Sequence, residues 1–368
     1  MFNSIRLGKM RHMMNWIHIL RTGNSLQGVP LGWASRWLLI TRACVFSMTI
    51  LSACIGGLLA AMTGAFDAFA FALVVLGLVL AHASNNMVND YFDMKNGVDT
   101  AGYPRVAYAP HPILSNLVGV RGLWTAIIVC NLIDLGIALW LSVSKGWGVL
   151  GFAIVGLAVS VFYVAPPLKL KHRGLGEAAI FFIWGPLMIT GTFYAMGGSL
   201  LGPIWLASIP YGIAVAAVVM GKHIDKVEKD RERGVGTLPV VLGERGGRHL
   251  MLGLILFFYA GVAALVALRI FPWPALLVLL SVPRGLRVAR VLTLSVPATP
   301  AEAFGIARDA IPRDLREQYD PARGGNTFPI WPLWFVVWGV WWVRRAGALL
   351  AIGLAATLAI PRFFGGFF

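Results

Sequence analysis

The sequence has few charged residues, few acids and few cysteines. Only 13% of its 368 residues are charged, whereas soluble globular domains carry about 25%. This shortage of polar surface excludes a soluble enzyme, and the abundance of apolar residues excludes a disordered protein. The three cysteines all lie within apolar segments and lack metal-ligand spacing, which excludes a secreted disulfide scaffold. The composition leaves a polytopic membrane protein.

Long apolar runs dominate what is present. Hydrophobic residues make up 58% of the chain, and the mean hydropathy is +0.75. A segment that crosses a bilayer must be helical, because its backbone polar groups have to be paired internally. The sequence therefore predicts an all-α helical bundle in the membrane with about nine spans. We place them at about residues 37–61, 68–89, 123–143, 148–164, 178–197, 203–221, 250–270, 273–292 and 346–361.

The basic residues concentrate on one predicted side of the membrane. There are 31 Lys and Arg against 16 Asp and Glu, a formal net charge of +15. If the N-terminus is cytoplasmic, 28 of the 31 lie in the N-terminal tail or in the loops after spans two, four, six and eight. Such an excess marks cytoplasmic loops, so we predict an integral plasma-membrane protein with a cytoplasmic N-terminus. Topology and anionic lipids explain the charge, and nucleic acid is not an expected partner.

The span pattern divides the chain into four segments. Residues 1–36 are predicted to be a polar cytoplasmic tail, and residues 37–292 hold spans one to eight. Residues 293–345 are predicted to be a cytoplasmic insertion, with a short helix near residues 301–319. An interfacial helix rich in Trp would follow before Arg344 and Arg345. Residues 346–368 hold the last span and the C-terminus.

Seven of the 16 acids occupy two short stretches, which follow spans two and six. In the first stretch, Asn86, Asn89, Asp90 and Asp93 have the spacing of one helix face. Crowded carboxylates repel one another unless cations intervene. Mg²⁺ prefers oxygen ligands and often bridges carboxylates to substrate phosphates. Solvated loop charges are the alternative, but the four-helix separation of two similar stretches favours a metal site between two related four-helix halves.

These stretches resemble the two Asp-rich motifs of the UbiA superfamily of intramembrane aromatic prenyltransferases. Residues 89–93, Asn-Asp-Tyr-Phe-Asp, followed by Asp99, look most like the branch that prenylates 1,4-dihydroxy-2-naphthoate in menaquinone synthesis. The loop at residues 163–177 and the second motif with residues 237–243 continue the likeness. The resemblance covers roughly residues 35–290. One departure concerns the second motif, where Asp225 and Asp230 are five residues apart instead of four, which puts the acceptor in doubt more than the reaction.

The resemblance implies transfer of a polyprenyl chain from an isoprenoid diphosphate to an aromatic acceptor with the help of two Mg²⁺ ions. The metal ligands it implies are Asp90, Asp93, Asp99, Asp225 and Asp230. The catalytic residues it implies are Asp90, Asp93, Asp225, Asp230, Lys171 and Tyr163. Residues expected to bind substrate are Asn86, Asn89, Arg42, Lys169, Arg173 and Lys222. Arg42 is placed inside span one, where an isolated charge indicates function.

Several other polar residues have two interpretations. Asp134 with Asn131 could line the acceptor pocket or join helices by hydrogen bonds. His82 is assigned to packing, and Glu177 to the first turn of span five, near the positive end of the helix dipole. An allylic carbocation needs a dry, aromatic site, for which Tyr163, Phe92 and Phe162 are candidates.

The predicted function is therefore Mg²⁺-dependent prenylation of a quinone precursor, with 1,4-dihydroxy-2-naphthoate as the expected acceptor. The alternatives within the same fold are 4-hydroxybenzoate, a chlorophyllide-type tetrapyrrole or a glycerol lipid as acceptor. A cation-coupled transporter is the alternative from another class; it predicts acids near the bilayer midplane and broken helices. The sequence leaves the oligomeric state, the chain length and the proton-accepting base open.

Overall fold

The chain folds as a bundle of helices. The computed structural model describes residues 2–26, 28–100, 102–200, 202–313, 316 and 331–359, and side chains from residue 12 onward. Seven of the described helices are long and apolar enough to cross a membrane. Two shorter apolar segments, at residues 148–164 and 273–293, lie where two more spans are predicted. The all-α membrane bundle is confirmed, and its number of spans agrees roughly with nine.

The helices are numbered here in chain order. They are α1 (Phe2–Thr22), α2 (Trp33–Ile40), α3 (Ala43–Met62), α4 (Ala68–Lys95), α5 (Pro104–Tyr108), α6 (Val120–Lys145), α7 (Gly148–Val164), α8 (Gly176–Ala195), α9 (Gly202–Ile224), α10 (Val227–Glu232), α11 (Leu238–Ala267), α12 (Val282–Thr293), α13 (Pro300–Ala307) and α14 (Phe335–Ala359). A 3₁₀ segment, Trp273–Ser281, leads into α12.

Helix α4 carries the first acidic stretch at its C-terminal end. At its other end Asp67 is the N-cap, and one carboxylate oxygen accepts from the backbone N–H groups of Phe69 and Ala70, each at 3.0 Å. Such a cap satisfies two of the unpaired donors that open a helix. Lys145, at the end of α6, donates to the same carboxylate at 2.6 Å. The far end of α4 is thereby held against its neighbour.

Helix α9 is central to the bundle and packs against α8, α11 and α14. Its crossing with α8 depends on two glycines. A Cβ on Gly212 would lie 2.7 Å from the carbonyl oxygen of Phe181 and 2.9 Å from the Cα of Gly185. Small residues at such a crossing let two membrane helices approach closely. The C-terminal end of α9, which carries the second acidic stretch, is fixed by this packing.

The N-terminal region departs from the expected polar tail and continuous first span. Residues before Arg42 form α1 and α2, and Arg42 lies in a break between α2 and α3 with φ at 54°. The placement of Arg42 inside a span was therefore wrong. The break brings its guanidinium to a carboxylate of α4, which a buried charge requires.

The C-terminal region also differs, since an interfacial helix followed by a separate span was expected. The structure instead has the single 25-residue helix α14. Trp334, Trp338 and Trp342 are at most 3% exposed and pack into the bundle. Burial of these rings, rather than placement at the headgroups, accounts for the continuous helix. A short helix was expected near residues 301–319, and there α13 covers Pro300–Ala307; residues 314, 315 and 317–319 lie outside the described part.

Candidate active site

Helix ends converge at one end of the bundle. The C-terminal ends of α4 and α9, the N-terminal end of α14 and the break at Arg42 all lie there, as their side-chain contacts show. Loops close over them. Arg173, after α7, forms an isolated bridge with Gly236, which precedes α11. A Cβ on Gly236 would lie 2.6 Å from the carbonyl oxygen of His172, so the two loops meet without room for a side chain.

Asp90 is fully buried and pairs with two arginines. Arg105 donates to its two carboxylate oxygens, from Nε at 3.2 Å and from Nη2 at 3.1 Å. Arg42 donates from Nε at 3.2 Å and also from Nη2. Burial opposes the charged form of Arg42, but attraction to Asp90 and Asp99 and the hydrogen bonds to Asp90 together outweigh burial and raise its pKa. The pairing holds both guanidinium groups in place beside the first acidic stretch.

Asp93, one turn further along α4, pairs with Lys171. The ammonium group lies 2.9 and 2.7 Å from the two carboxylate oxygens, and both side chains are buried. Burial lowers the pKa of Lys171, but attraction to Asp93, together with more distant negative groups such as Asp230, outweighs burial and leaves the pKa above its usual value. Lys171 comes from the loop after α7, so this ion pair ties that loop to α4.

The two acidic stretches lie together. Tyr103, which follows the first stretch, donates from its hydroxyl to Oδ1 of Asp230 in the second at 2.5 Å. Lys226 donates to the same hydroxyl at 2.9 Å, and its ammonium lies 3.6 Å from Oδ2 of Asp230. Burial raises the pKa of Asp230, but Lys226 and Lys171 outweigh burial and lower it. The predicted meeting of the two stretches is thus observed in the contacts of Tyr103.

A group of donor atoms in the first stretch fits a metal ion. Ligand atoms of Asp90, Asp99 and His111 all lie within 4.8 Å of one another. Both carboxylate oxygens of Asp99, Nε2 of His111 and Oδ1 of Asn89 are buried without a hydrogen-bond partner. Buried polar atoms without partners are costly. Carboxylate and amide oxygens are the ligands that Mg²⁺ prefers, so this set fits the metal predicted from the sequence.

Asp225, which was predicted to be a metal ligand, does not belong to this group. One carboxylate oxygen accepts from the backbone N–H of Phe335 at 2.8 Å, and the other accepts from that of Val336 at 3.0 Å. The side chain therefore binds the N-terminus of α14, where the helix dipole favours negative charge. Burial nevertheless raises the pKa of Asp225 to about 7.

This raised pKa predicts a pH-dependent stability that Asp225→Asn removes. A carboxyl whose pKa is higher in the folded state contributes stability at low pH and loses it as the pH rises from about 4 to about 7. The amide of Asn can accept from only one of the two N–H groups, so the test is the change with pH. We expect the melting temperature of the wild type, relative to that of Asp225→Asn, to fall by about 2 °C or more between pH 4 and pH 8. Thermal unfolding of both proteins in detergent measures this gap. A gap that is the same at both pH values would contradict it.

A cavity of about 280 Å³ adjoins the paired charges. One part of its wall is polar, and the other is apolar. The polar residues are Arg21, Thr22, Arg42, His82, Asn85, Asn86, Asn89, Arg105, Lys222 and Arg344. Apolar and aromatic residues include Trp184, Tyr163, Val215, Val218, Val336, Val337, Val340 and Trp341. No carboxylate belongs to the described part of this wall, so the cavity presents positive charge to a ligand with an apolar portion.

The structure places most of the predicted substrate-binding residues in this wall. Arg42, Asn86, Asn89, Lys222 and Tyr163 line it. Lys169 and Arg173, also predicted to bind substrate, do not line it. Arg173 is exposed and donates to the carbonyl oxygen of Pro167 at 3.1 Å. Lys171 also lies outside the wall, in its pair with Asp93.

The residues with two interpretations lie mostly outside the cavity. Asn131 donates to Ser84 Oγ and to the carbonyl oxygen of Ile127, both at 2.7 Å, so it joins helices. Glu177 lies in the first turn of α8, and its Oε1 is 2.7 Å from Nδ1 of His223. His82 does line the cavity, although it was assigned to packing, and its Nδ1 is 2.7 Å from Thr49 Oγ1.

Phe92, Phe162 and Asp134 are absent from the described wall of the cavity. Phe92 contacts Tyr91 edge-on. Oδ1 of Asp134 is buried without a hydrogen-bond partner.

Sequence reasoning assigned no role to Tyr103, Arg105, His111, Lys226 or Arg344. Arg105 and His111 lie within the Pro-rich segment after the first motif. Both lie within 12 residues of Asp99. This nearness could have indicated His111 as a further metal donor and Arg105 as the counterion of a nearby acid. Arg344 donates to the carbonyl oxygens of Cys44 and Arg21, and nothing local in the sequence indicates such contacts across some 300 residues.

One part of the cavity wall is positively charged and lies beside residues that fit a metal ion, and the other part is apolar. Such a cavity inside a bundle of membrane helices is typical of an integral membrane enzyme that acts on an anionic substrate with an apolar portion. The chain belongs to the UbiA prenyltransferase family, which matches residues 50–308, and it is a prenyltransferase. Arg21, Arg42 and α14 lie outside the matched residues.

Relatives with established names include naphthoate prenyltransferases. The chain is 27% identical over 259 residues to 2-carboxy-1,4-naphthoquinone phytyltransferase of Synechocystis sp., covering 69% of this chain and 81% of the relative. It is 25% identical to 1,4-dihydroxy-2-naphthoate octaprenyltransferase of Bacillus subtilis, covering 68% and 80%. Digeranylgeranylglyceryl phosphate synthase of Natronomonas pharaonis is 27% identical, covering 62% and 77%. These relatives confirm the resemblance drawn from the motifs.

Solved structures share the fold. A UbiA homolog from Aeropyrum pernix K1 in its apo form has a TM-score of 0.52 at 19% identity, covering 80% of this chain and 96% of that one. A UbiA homolog from Archaeoglobus fulgidus bound to GPP and Mg²⁺ has a TM-score of 0.50 at 13% identity, covering 88% and 100%.

Proposed function

We propose that the protein transfers a polyprenyl chain from an isoprenoid diphosphate to 1,4-dihydroxy-2-naphthoate, with Mg²⁺ as the metal and the active site on the cytoplasmic side. The observation that carries this proposal is the cavity wall, in which Arg42, Arg105 and Lys222 adjoin apolar side chains. An anionic head with a long apolar chain matches such a wall. The two naphthoate prenyltransferases among the relatives support the acceptor, and the homolog bound to GPP and Mg²⁺ supports the donor and the metal.

The metal site would use buried donors that make no hydrogen bond. Asp99, His111 and Asn89 offer such atoms, with Oδ2 of Asp99 and Nε2 of His111 3.5 Å apart, and Asp90 completes the set within the same small volume. A bound Mg²⁺ supplies charge neutralisation to the diphosphate leaving group. Asp93 would act indirectly, because its oxygens accept from Lys171.

The basic side chains would bind and orient the diphosphate. Arg42 and Arg105 are fixed by Asp90, so their remaining N–H groups are preorganised for phosphate oxygens. Asn86 is oriented by donating to the carbonyl oxygen of Thr41 at 2.9 Å. In the reaction the allylic C–O bond breaks, and its electron pair leaves with the diphosphate.

The apolar wall would protect the allylic cation that remains. Water would quench this cation, and the valines of α9 and α14 exclude water from the wall. Trp184 and Tyr163 present aromatic rings, whose faces attract positive charge. A ring carbon of the acceptor then supplies an electron pair to the allylic carbon and forms the new C–C bond. The ring proton that is displaced leaves with the released diphosphate.

An assay of membranes that contain the protein tests this function. We expect a radiolabelled isoprenoid diphosphate to appear in a prenylated naphthoate, and we expect EDTA to abolish this product and excess Mg²⁺ to restore it. Acceptors supplied in parallel are 4-hydroxybenzoate, a chlorophyllide and a glycerol phosphate lipid. If only one of these acceptors were prenylated, the proposed reaction would stand and the proposed acceptor would be wrong. Full activity in EDTA would contradict the proposed metal dependence.

A further inference from the structure

The second acidic stretch contributes one side chain to the described cavity wall, and that side chain is basic. Of residues 222–234, only Lys222 lines the cavity. Asp225 faces the other way, toward the N-terminus of α14, with both oxygens accepting backbone hydrogen bonds. The carboxylate expected to hold a second metal ion is therefore used to anchor a helix.

Asp230 is the buried acid of this stretch, since Glu228 and Glu232 are exposed. Its Oδ1 accepts from Tyr103, and its Oδ2 has no hydrogen-bond partner and lies 3.6 Å from the ammonium of Lys226. A divalent cation bound at Oδ2 would lie against that ammonium, with no second buried acid of this stretch turned toward it. Among the described residues, ligand atoms of Asp90, Asp99 and His111 lie within 4.8 Å of one another, and the second stretch contributes to no such group of three. The donors of the second stretch therefore fit a metal less well than those of the first stretch.

Lys222 has the properties of a substitute for that metal. No described carboxylate lies within 4.0 Å of its ammonium, whereas Lys171 and Lys226 each have one. Its electrostatic neighbours include Arg42, Lys171 and Lys226, with Asp93 as the opposing charge. An unpaired ammonium in the wall of a low-dielectric cavity is costly, and an anionic ligand relieves that cost.

We propose that the Lys222 ammonium replaces a second metal ion, so that the protein binds the diphosphate with a single divalent cation held by the first acidic stretch. This inference rests on the proposed function, because it assigns the diphosphate to this cavity. The two acidic stretches would then have different roles. The first binds the metal, and the second anchors α14 and supplies a fixed ammonium to the substrate.

Metal counting in the purified protein tests the stoichiometry. Mn²⁺, which prefers the same ligands as Mg²⁺, is titrated into the protein in the presence of a thiolodiphosphate analogue of geranyl diphosphate. In this analogue the bond between the allylic carbon and the leaving group does not break, so no reaction occurs. Free Mn²⁺ is measured by electron paramagnetic resonance. We expect one Mn²⁺ per chain, and Asp225→Asn should bind the same number. Two ions per chain would overturn the inference and leave the proposed function standing, whereas no analogue binding with or without Mn²⁺ would overturn both.

Variants of Lys222 test the role of the ammonium through analogue affinity at saturating Mn²⁺. Lys222→Met should weaken analogue binding about ten- to hundredfold, the range expected for a lost charge-assisted hydrogen bond. The count of one Mn²⁺ per chain should not change. Lys222→Arg keeps the positive charge and should bind the analogue within about threefold of the wild type. Wild-type affinity in Lys222→Met, with an unchanged melting temperature, would exclude the ammonium from diphosphate binding.

Discussion

Asp90→Asn should reduce prenyl transfer at least about 100-fold, because one carboxylate serves two arginines and the metal cluster. The amide has nearly the same shape but carries no charge. It would leave Arg42 and Arg105 with an amide oxygen in place of a buried carboxylate. Their guanidinium groups would then lose the geometry that preorganises them for phosphate oxygens. Product formation from a radiolabelled diphosphate at saturating Mg²⁺ measures the loss.

Glu232→Gln is the matched control for this substitution. It removes one carboxylate from the second acidic stretch, but Glu232 is 57% exposed and pairs with the exposed Lys229. Exposed pairs of this kind contribute little to stability, so activity should stay near that of the wild type. If Asp90→Asn kept more than about a tenth of the wild-type activity, Asp90 would have no central role in the site.

Lys171→Met should act mainly on stability. The substitution leaves the Asp93 carboxylate buried without its counterion, and breaking one partner of a buried pair costs about 3–5 kcal/mol. Because Lys171 joins the loop after α7 to α4, the site should loosen as the pair is lost. We expect a markedly lower melting temperature in detergent and a low yield of folded protein.

A double variant separates the ion pair from other roles of the lysine. Lys171→Met with Asp93→Asn removes both charges, so much of the lost stability should return, and the melting temperature should lie closer to the wild type than that of Lys171→Met. If the double variant melted as low as the single one, the cost would come from packing of the lysine chain, and the ion pair would not be its cause.

The bundle itself was predictable from apolar periodicity and length. Spans such as α6 and α9 are almost uninterrupted apolar runs, and no soluble arrangement can bury them. The ends of the chain were not predictable in the same way. A sequence rich in Trp and ending in two arginines matches an interfacial helix by composition, and only the packing of Trp334 and Trp342 against the bundle distinguishes the two cases.

The candidate site was predictable as a set of residue types and less so as a set of contacts. Asp90 and Asp93 lie in the last turns of α4 and Asp99 follows it, so their proximity came from local spacing. Asp225 has the same local signal, but its contacts come from α14, 110 residues further along. A motif shows which charged residues lie near one helix end. It does not show which distant backbone N–H groups will donate hydrogen bonds to them.

Helix α14 has a consequence for how the enzyme is made. Its valines line the cavity, and its first N–H groups hold Asp225. Its Arg344 donates to the carbonyl oxygens of Cys44, just after the break at Arg42, and of Arg21 at the end of α1. The ribosome therefore synthesises both acidic stretches well before the wall that they need. A nascent chain arrested ahead of residue 335 would have its charged groups open to the surrounding water and lipid. Catalytic competence thus begins only after this late helix has entered the membrane.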